Sequence, residues 1–162
     1  MRQLSPAGRT LGVTLVEMVV VMAFLAIVST LASPFLTDYI ANSRLRESGN
    51  ALMAEALFAQ SEAIKRNGPV RLAVTATGTQ VVDLTGPAPA VIRDRQFPDR
   101  IIVETLNIDF GSDGMTRPRG TDATVDVSGN GITCSADYRC PRLQVDAGGA
   151  LRLCGNKLEC GS

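Results

Sequence analysis

At 162 residues, the chain can build one modest hydrophobic core and no second domain. Its 16 basic and 16 acidic side chains balance to a formal charge of zero, so global charge gives no argument for a polyanionic partner. Histidine is absent, which removes Ser-His-Asp and Cys-His nucleophilic arrangements and argues against an enzyme.

Residues 1–12 are short and polar and carry Arg2 and Arg9, which a positive-inside orientation would hold in the cytoplasm as a leader. Residues 13–36 follow with a single charge, Glu17. At about 1.5 Å per residue this run is long enough to cross a hydrocarbon core of roughly 30 Å, and it reads as a membrane helix. The competing reading is a secretory signal peptide cut near Ser29 to Ser33. Such apolar regions usually run only about 7–15 residues and lack a carboxylate near their start. A carboxylate inside a membrane segment is costly and needs a partner. Cleavage after Gly12 would create that partner, an α-amino group at Val13 that Glu17 of a neighbouring subunit would neutralise. Loss of residues 1–12 leaves 14 basic against 16 acidic side chains.

The run Gly12-Val-Thr-Leu-Val-Glu17 resembles the class III signal of type IV prepilins and pseudopilins. The resemblance implies cleavage between Gly12 and Val13 by a membrane aspartyl prepilin peptidase, methylation of the new N-terminus, and assembly into a filament guided by Glu17. Val13 stands where the family usually has Phe. Pro34 falls where pilins commonly carry a proline, and it would remove a helical hydrogen bond and promote a kink or local melting.

Beyond Pro34 the pattern turns amphipathic while keeping the helical period. Leu45, Leu52, Ala56, Ala59 and Ala63 recur at helical offsets, with Met53, Leu57 and Ile64 extending the stripe. Arg44, Arg46, Glu47, Glu55, Glu62, Lys65 and Arg66 are expected on its flanks. Asn67-Gly68-Pro69 is a strong stop, with Asn or Gly available for a left-handed cap. A continuous helix over 13–67 would be about 80 Å long.

The remainder alternates short β-rich runs with turn residues. Val70 to Thr75 and Gln80 to Leu84 flank Thr77-Gly78 as a hairpin. Ile101 to Leu106 and Ile108 to Phe110 precede Gly111-Ser-Asp-Gly114, Val125 to Val127 adds a strand, and Thr85 to Pro89 is a loop. Arg142 to Asp146 and Ala150 to Leu153, joined around Gly148-Gly149, give the clearest short hairpin signal. The fold class is α+β, a long N-terminal helix packed on antiparallel β-sheets. Its parts are a leader over 1–12, an apolar helix over 13–36, an amphipathic continuation over 37–67, and a β-rich domain over 68–162.

Cys134, Cys140, Cys154 and Cys160 lie downstream of a segment that would export them, where disulfides are favoured. Pairing 134 with 140 and 154 with 160 is the simplest of three connectivities. Structural zinc is the competing reading, but it generally uses tighter knuckles and often histidine, so no metal is expected. Asp109 and Asp113 lack the alternating ligands of an EF-hand, and the glycine turn at 111–114 is too short for a phosphate loop. No cofactor is expected. Arg117, Arg119, Arg139, Arg142, Arg152 and Lys157 sit in loops or strand ends, and phosphate binding would need several of them on one face. The alternative is that they are scattered and paired with Asp113, Asp122, Asp137, Asp146 and Glu159. Tyr138 is the one nearby aromatic for base stacking.

The helix end, Ala59-Gln-Ser-Glu-Ala-Ile-Lys-Arg-Asn67 followed by Pro69-Val70, resembles the GspH/FimT branch of this family, with Gln60 where Arg is usual. Phe110-Gly-Ser-Asp-Gly114 matches a later Phe-x-x-x-Gly element of that branch. The resemblance implies either a minor pilin of a type IV pilus or a minor pseudopilin of a type II secretion system, with the former favoured. Its partners would be other minor and major pilins or pseudopilins, prepilin peptidase and an inner-membrane assembly platform. Its location would be the bacterial inner membrane with the C-terminal domain in the periplasm, then a filament. Some FimT-like proteins bind DNA through a Gly-Arg-x-Arg element. Gly149-Ala150-Leu151-Arg152 matches its second Arg and replaces the first with Ala150.

Overall fold

The computed structural model describes residues 12–161, except for the side chains at 31–35. The expected leader therefore lies outside the described residues apart from Gly12, as does the side chain of Pro34 and with it the expected kink. Two units divide the chain, Met1–Thr37 and Asp38–Ser162.

A single helix, α1, spans Leu15–Arg66, two residues later at its start than expected. The reason is Thr14, whose hydroxyl accepts a hydrogen bond from the Glu17 backbone N–H at 3.2 Å. Thr14 is thus the N-cap, and Glu17 sits in the first turn, where a carboxylate suits the positive end of the helix dipole. The helix ends through Asn67, which adopts a left-handed φ of 51°. Gly68 N–H then reaches back to Ala63 C=O and Asn67 N–H to Ile64 C=O, each at 3.1 Å, the paired bonds of a Schellman cap. Among the described residues, no helix is long and apolar enough to cross a membrane. The expected membrane segment, 13–36, includes the positions 31–35.

Among the described residues nine strands follow: β1 Val70–Thr75, β2 Gly78–Asp83, β3 Ala90–Gln96, β4 Ile101–Val103, β5 Leu106–Phe110, β6 Thr116–Arg117, β7 Ala123–Gly129, β8 Arg142–Val145 and β9 Leu151–Cys154. They form a five-stranded sheet ordered β3-β2-β1-β5-β6 and a four-stranded sheet ordered β4-β7-β8-β9. Every pairing is antiparallel.

Several strand boundaries correct the expectations. The first hairpin turns at Ala76-Thr77, one residue early, because Thr75 pairs with Gly78 and its hydroxyl donates to Gly78 C=O at 3.0 Å. The expected strand over 101–106 breaks after Val103, where the chain leaves one sheet for the other. Glu104 N–H still bonds Asp126 C=O of β7 at 3.0 Å, whereas Leu106 pairs with β1. Strand β3 had no sequence signal, since it is an edge strand with a mostly exposed, charge-rich surface. At the last hairpin, Gly149 takes a φ of 84°, and the strands run 142–145 and 151–154.

The core forms where the second part of α1 meets both sheets. Leu45, Leu52, Ala56, Ala59 and Ala63 are fully buried, against Val70, Leu72, Phe110, Val125, Val127 and Leu143. The small alanines let the sheets approach the helix closely. Leu57 and Ile64 instead face outward, about half exposed, because each lies one residue, or roughly 100°, past a core position. Glu55 and Glu62 leave the expected flanks and are buried. Glu55 accepts from Arg95 Nε at 2.9 Å and lies 3.5 Å from Arg93 Nη1. Arg93 in turn stacks 3.7 Å over the ring of Phe58. These contacts bind the edge strand β3 to the helix.

Candidate functional site

Gly12 and Val13 precede the N-cap outside any regular element, and both are exposed. The bond between them is therefore accessible in the described structure. From Leu15 to Val28 the large apolar side chains are exposed around the whole helix, 81 % for Leu15 and 65 % for Phe24. Glu17 is also exposed and is the one charged side chain in that stretch. An all-round apolar helix without cover from its own chain is built to be buried by something else.

The C-terminal part is organised by loops pinned onto α1. Gln60 donates its side-chain amide to Gly114 C=O at 2.8 Å and to Gly149 C=O at 2.7 Å. It thereby holds the Phe110 to Gly114 element and the β8–β9 hairpin against one point of the helix. Asn42 does the same for the Cys134–Cys140 loop, donating to Asp137 C=O at 2.7 Å and accepting from Arg139 N–H at 3.0 Å. Tyr138 adds a hydroxyl bond to Asp38, and the nearby carboxylate pushes the phenol pKa up. The disulfides join Cys134 to Cys140 and Cys154 to Cys160.

Four of the six basic residues singled out in the sequence hold carboxylates. Arg117 and Arg119 both bind Asp113, at 2.8 and 2.7 Å. Hydrogen bonds from Arg117 and from the Met115 N–H hold that carboxylate below its ordinary pKa. Arg142 and Lys157 share Asp126, at 2.5 and 3.2 Å, and its carboxylate is likewise held low, first by Arg142. Arg139 and Arg152 have no side-chain partner among the described residues. Arg152 is the exposed residue of the half-buried edge strand β9 and lines a hollow with Asp122 and Asp146. Among the described residues, no cluster of His, Cys, Asp and Glu has the makings of a metal site.

The sequence reading missed Thr14, Asn42, Gln60 and the Glu55 pairs. Thr14-x-x-Glu17 is a readable capping pattern. The contacts of Asn42 and Gln60 span more than fifty positions in the chain and carry no local signal.

A long N-terminal helix whose second part packs on antiparallel sheets is the pilin fold, the class of minor pilins and pseudopilins. The chain belongs to the GspH family: residues 48–149 match the family described as "Type II transport protein GspH". This is a family of structural pilins. In fold it is similar to the type IV minor pilin FimU of Pseudomonas aeruginosa strain PAO1, in two crystal forms. For the P21 form the TM-score is 0.57 at 18% identity, over 68% of this chain and 88% of that one. For the P65 form it is 0.55 at 19% identity, over 67% and 90%. No curated protein matches the chain in sequence.

Proposed function

We propose that the protein is a minor pilin of a type IV pilus. Prepilin peptidase cuts between Gly12 and Val13, the new N-terminus is methylated, and residues 13–36 hold the chain in the inner membrane until it enters the filament or its tip. The observation that carries this reading is the exposed apolar surface of α1 with one carboxylate, Glu17, in its first turn. Side chains such as Leu15, Met22 and Phe24 gain by leaving water for lipid or for the helices of other subunits. Glu17 then needs a positive partner, which the α-amino group of a neighbouring subunit supplies. Pro34 loosens the helix where it must adapt to the bundle.

The test is Glu17→Leu in a pilus-bearing host. The variant should accumulate with a folded domain but fall out of sheared filaments; normal incorporation would defeat the reading. A pseudopilin of a type II secretion system is the second reading, favoured by the description of the matching family. A secretion defect with intact pili in a deletion strain would select it, and lost pili with intact secretion would select the first. DNA contact is a subsidiary role that the unpaired Arg152 at the β8–β9 hairpin supports. It predicts duplex binding that weakens with salt and drops in Arg152→Ala.

A further inference from the structure

Asn42, Arg46 and Asn50 recur every four residues, so they line up along one face of α1. Beside them the Cys134–Cys140 loop is fixed to the helix by Asn42 and by the Tyr138 bond to Asp38. Pro141 then seats directly on Gly49, where a Cβ would come within 2.7 Å of the proline ring. Only glycine permits that approach. The result is a hollow of about 340 Å³, lined among others by Arg46, Asn50, Asp137, Arg139, Pro141 and Leu153.

The hollow brings together two arginines that hold no carboxylate, a state shared among the described residues by Arg44, Arg100 and Arg152, none of which lines it. Arg66, Arg71, Arg93, Arg95, Arg117, Arg119 and Arg142 each hold a carboxylate. Arg46 and Arg139 hold none among the described residues, although their backbones are fixed: one lies within a helix, the other between a bond to Asn42 and a disulfide. Asp137 contributes one carboxylate to the lining, itself without a side-chain partner among the described residues, so the hollow keeps a net positive charge.

We propose that this hollow is a receptor for a carboxylate side chain presented by a neighbouring subunit, an inference that rests on the chain being an assembling pilin. A guanidinium matches a carboxylate in a planar, two-bond geometry, and with Asp137 offsetting one of the two arginines a bound carboxylate brings the hollow to neutrality. The Asn50 amide adds a donor, and Pro141 and Leu153 offer apolar walls to the methylenes of a glutamate. A nucleic acid strand fits less well. It needs a series of cations along one track, and here an aspartate stands among only two.

The test uses the full-length chain, labelled with nitrogen-15 in zwitterionic detergent micelles, and follows the Nε–H resonances of Arg46 and Arg139. The probe is acetyl-Ala-Leu-Glu-Ala-amide, with the Gln peptide as its neutral counterpart. The Glu peptide should shift both resonances saturably and the Gln peptide should not. Arg46→Gln or Arg139→Gln should each weaken binding about tenfold, the scale of one charge-assisted hydrogen-bonded contact. Arg44→Gln, on the helix but outside the hollow, should leave it unchanged. Backbone resonances of the core establish that each variant is folded. Equal response to both peptides, or no saturable shift, overturns the proposal. Saturation by duplex DNA without any response to the Glu peptide also overturns it, in favour of a phosphate site. None of these readouts requires a filament, so a failure here leaves the subunit role standing, and a Glu17→Leu variant that still assembles leaves this binding result standing.

Discussion

Leu25 and Leu52 lie on the same helix, yet the first is 60 % exposed and the second is fully buried. Their intrinsic helix preference is identical, so the difference lies in what surrounds them. Around Leu25 nearly every position is apolar, and the large apolar side chains there are exposed. Around Leu52 the apolar positions narrow to one stripe, Leu45 to Ala63, and both sheets close over that stripe. The lesson is a division of labour along one helix. The later part builds the stability of residues 38–161, and the earlier part presents an exposed apolar surface.

That division is most sharply tested by paired truncations. Leu52→Ala empties a fully buried site and should cost the domain about 2–5 kcal/mol, read as a lowered urea midpoint of the full chain in detergent. Leu25→Ala should leave that midpoint in place. A comparable loss from Leu25→Ala would mean that the early helix does support the domain, and the comparison would fail.

The next effects come from the point where Gln60 joins two turns. Gly149→Ala places a Cβ at a φ of 84° and 2.2 Å from Gly114 C=O, so both the backbone and the neighbour resist it. A cost of roughly 2–3 kcal/mol is expected, from left-handed strain plus displacement of the turn. Gln60→Ala removes two hydrogen bonds and should cost about 1–2 kcal/mol. Because both act on one junction, the double variant should be less destabilised than the sum. Strict additivity in the unfolding free energies would show that Gln60 is not what holds the hairpin.

How much of this was legible before the structure follows from the range of each interaction. The core stripe of the helix and its stop at Asn67 are local patterns with a fixed period, and both are present. The β8–β9 hairpin was marked by Gly148-Gly149 for the same reason. Strand β3 was invisible because it is an edge strand whose residues, Ile92 aside, are all exposed, so no alternation of burial survives. Glu55 was placed on a solvated flank because charged residues usually stand there; its burial depends on Arg93 and Arg95, about forty residues away. The hollow beside Arg46 is equally non-local. It needs Gly49, Pro141 and a loop closed by Cys134 and Cys140.

The smallest effect concerns acid. Asp126 binds Arg142 and Lys157 in the folded domain, and its pKa is lowered below the ordinary value of about 3.9. A carboxylate that holds its proton less tightly when folded stabilises the fold fully above the unfolded pKa. That contribution fades as pH falls through the folded pKa. For a partly exposed pair it amounts to about 1 kcal/mol. Asp126→Asn should therefore be less stable than the parent at pH 7, and the gap should close as unfolding is followed below about pH 4. Asp113, Asp83, Asp94 and Glu62 are lowered in the same direction, but they act equally in both proteins and cancel in the difference. A gap that stays constant down to pH 2 would mean that Asp126 acts through packing and neutral hydrogen bonds. The charge on the sheet face would then contribute nothing to holding β7 and β8 to the C-terminal loop.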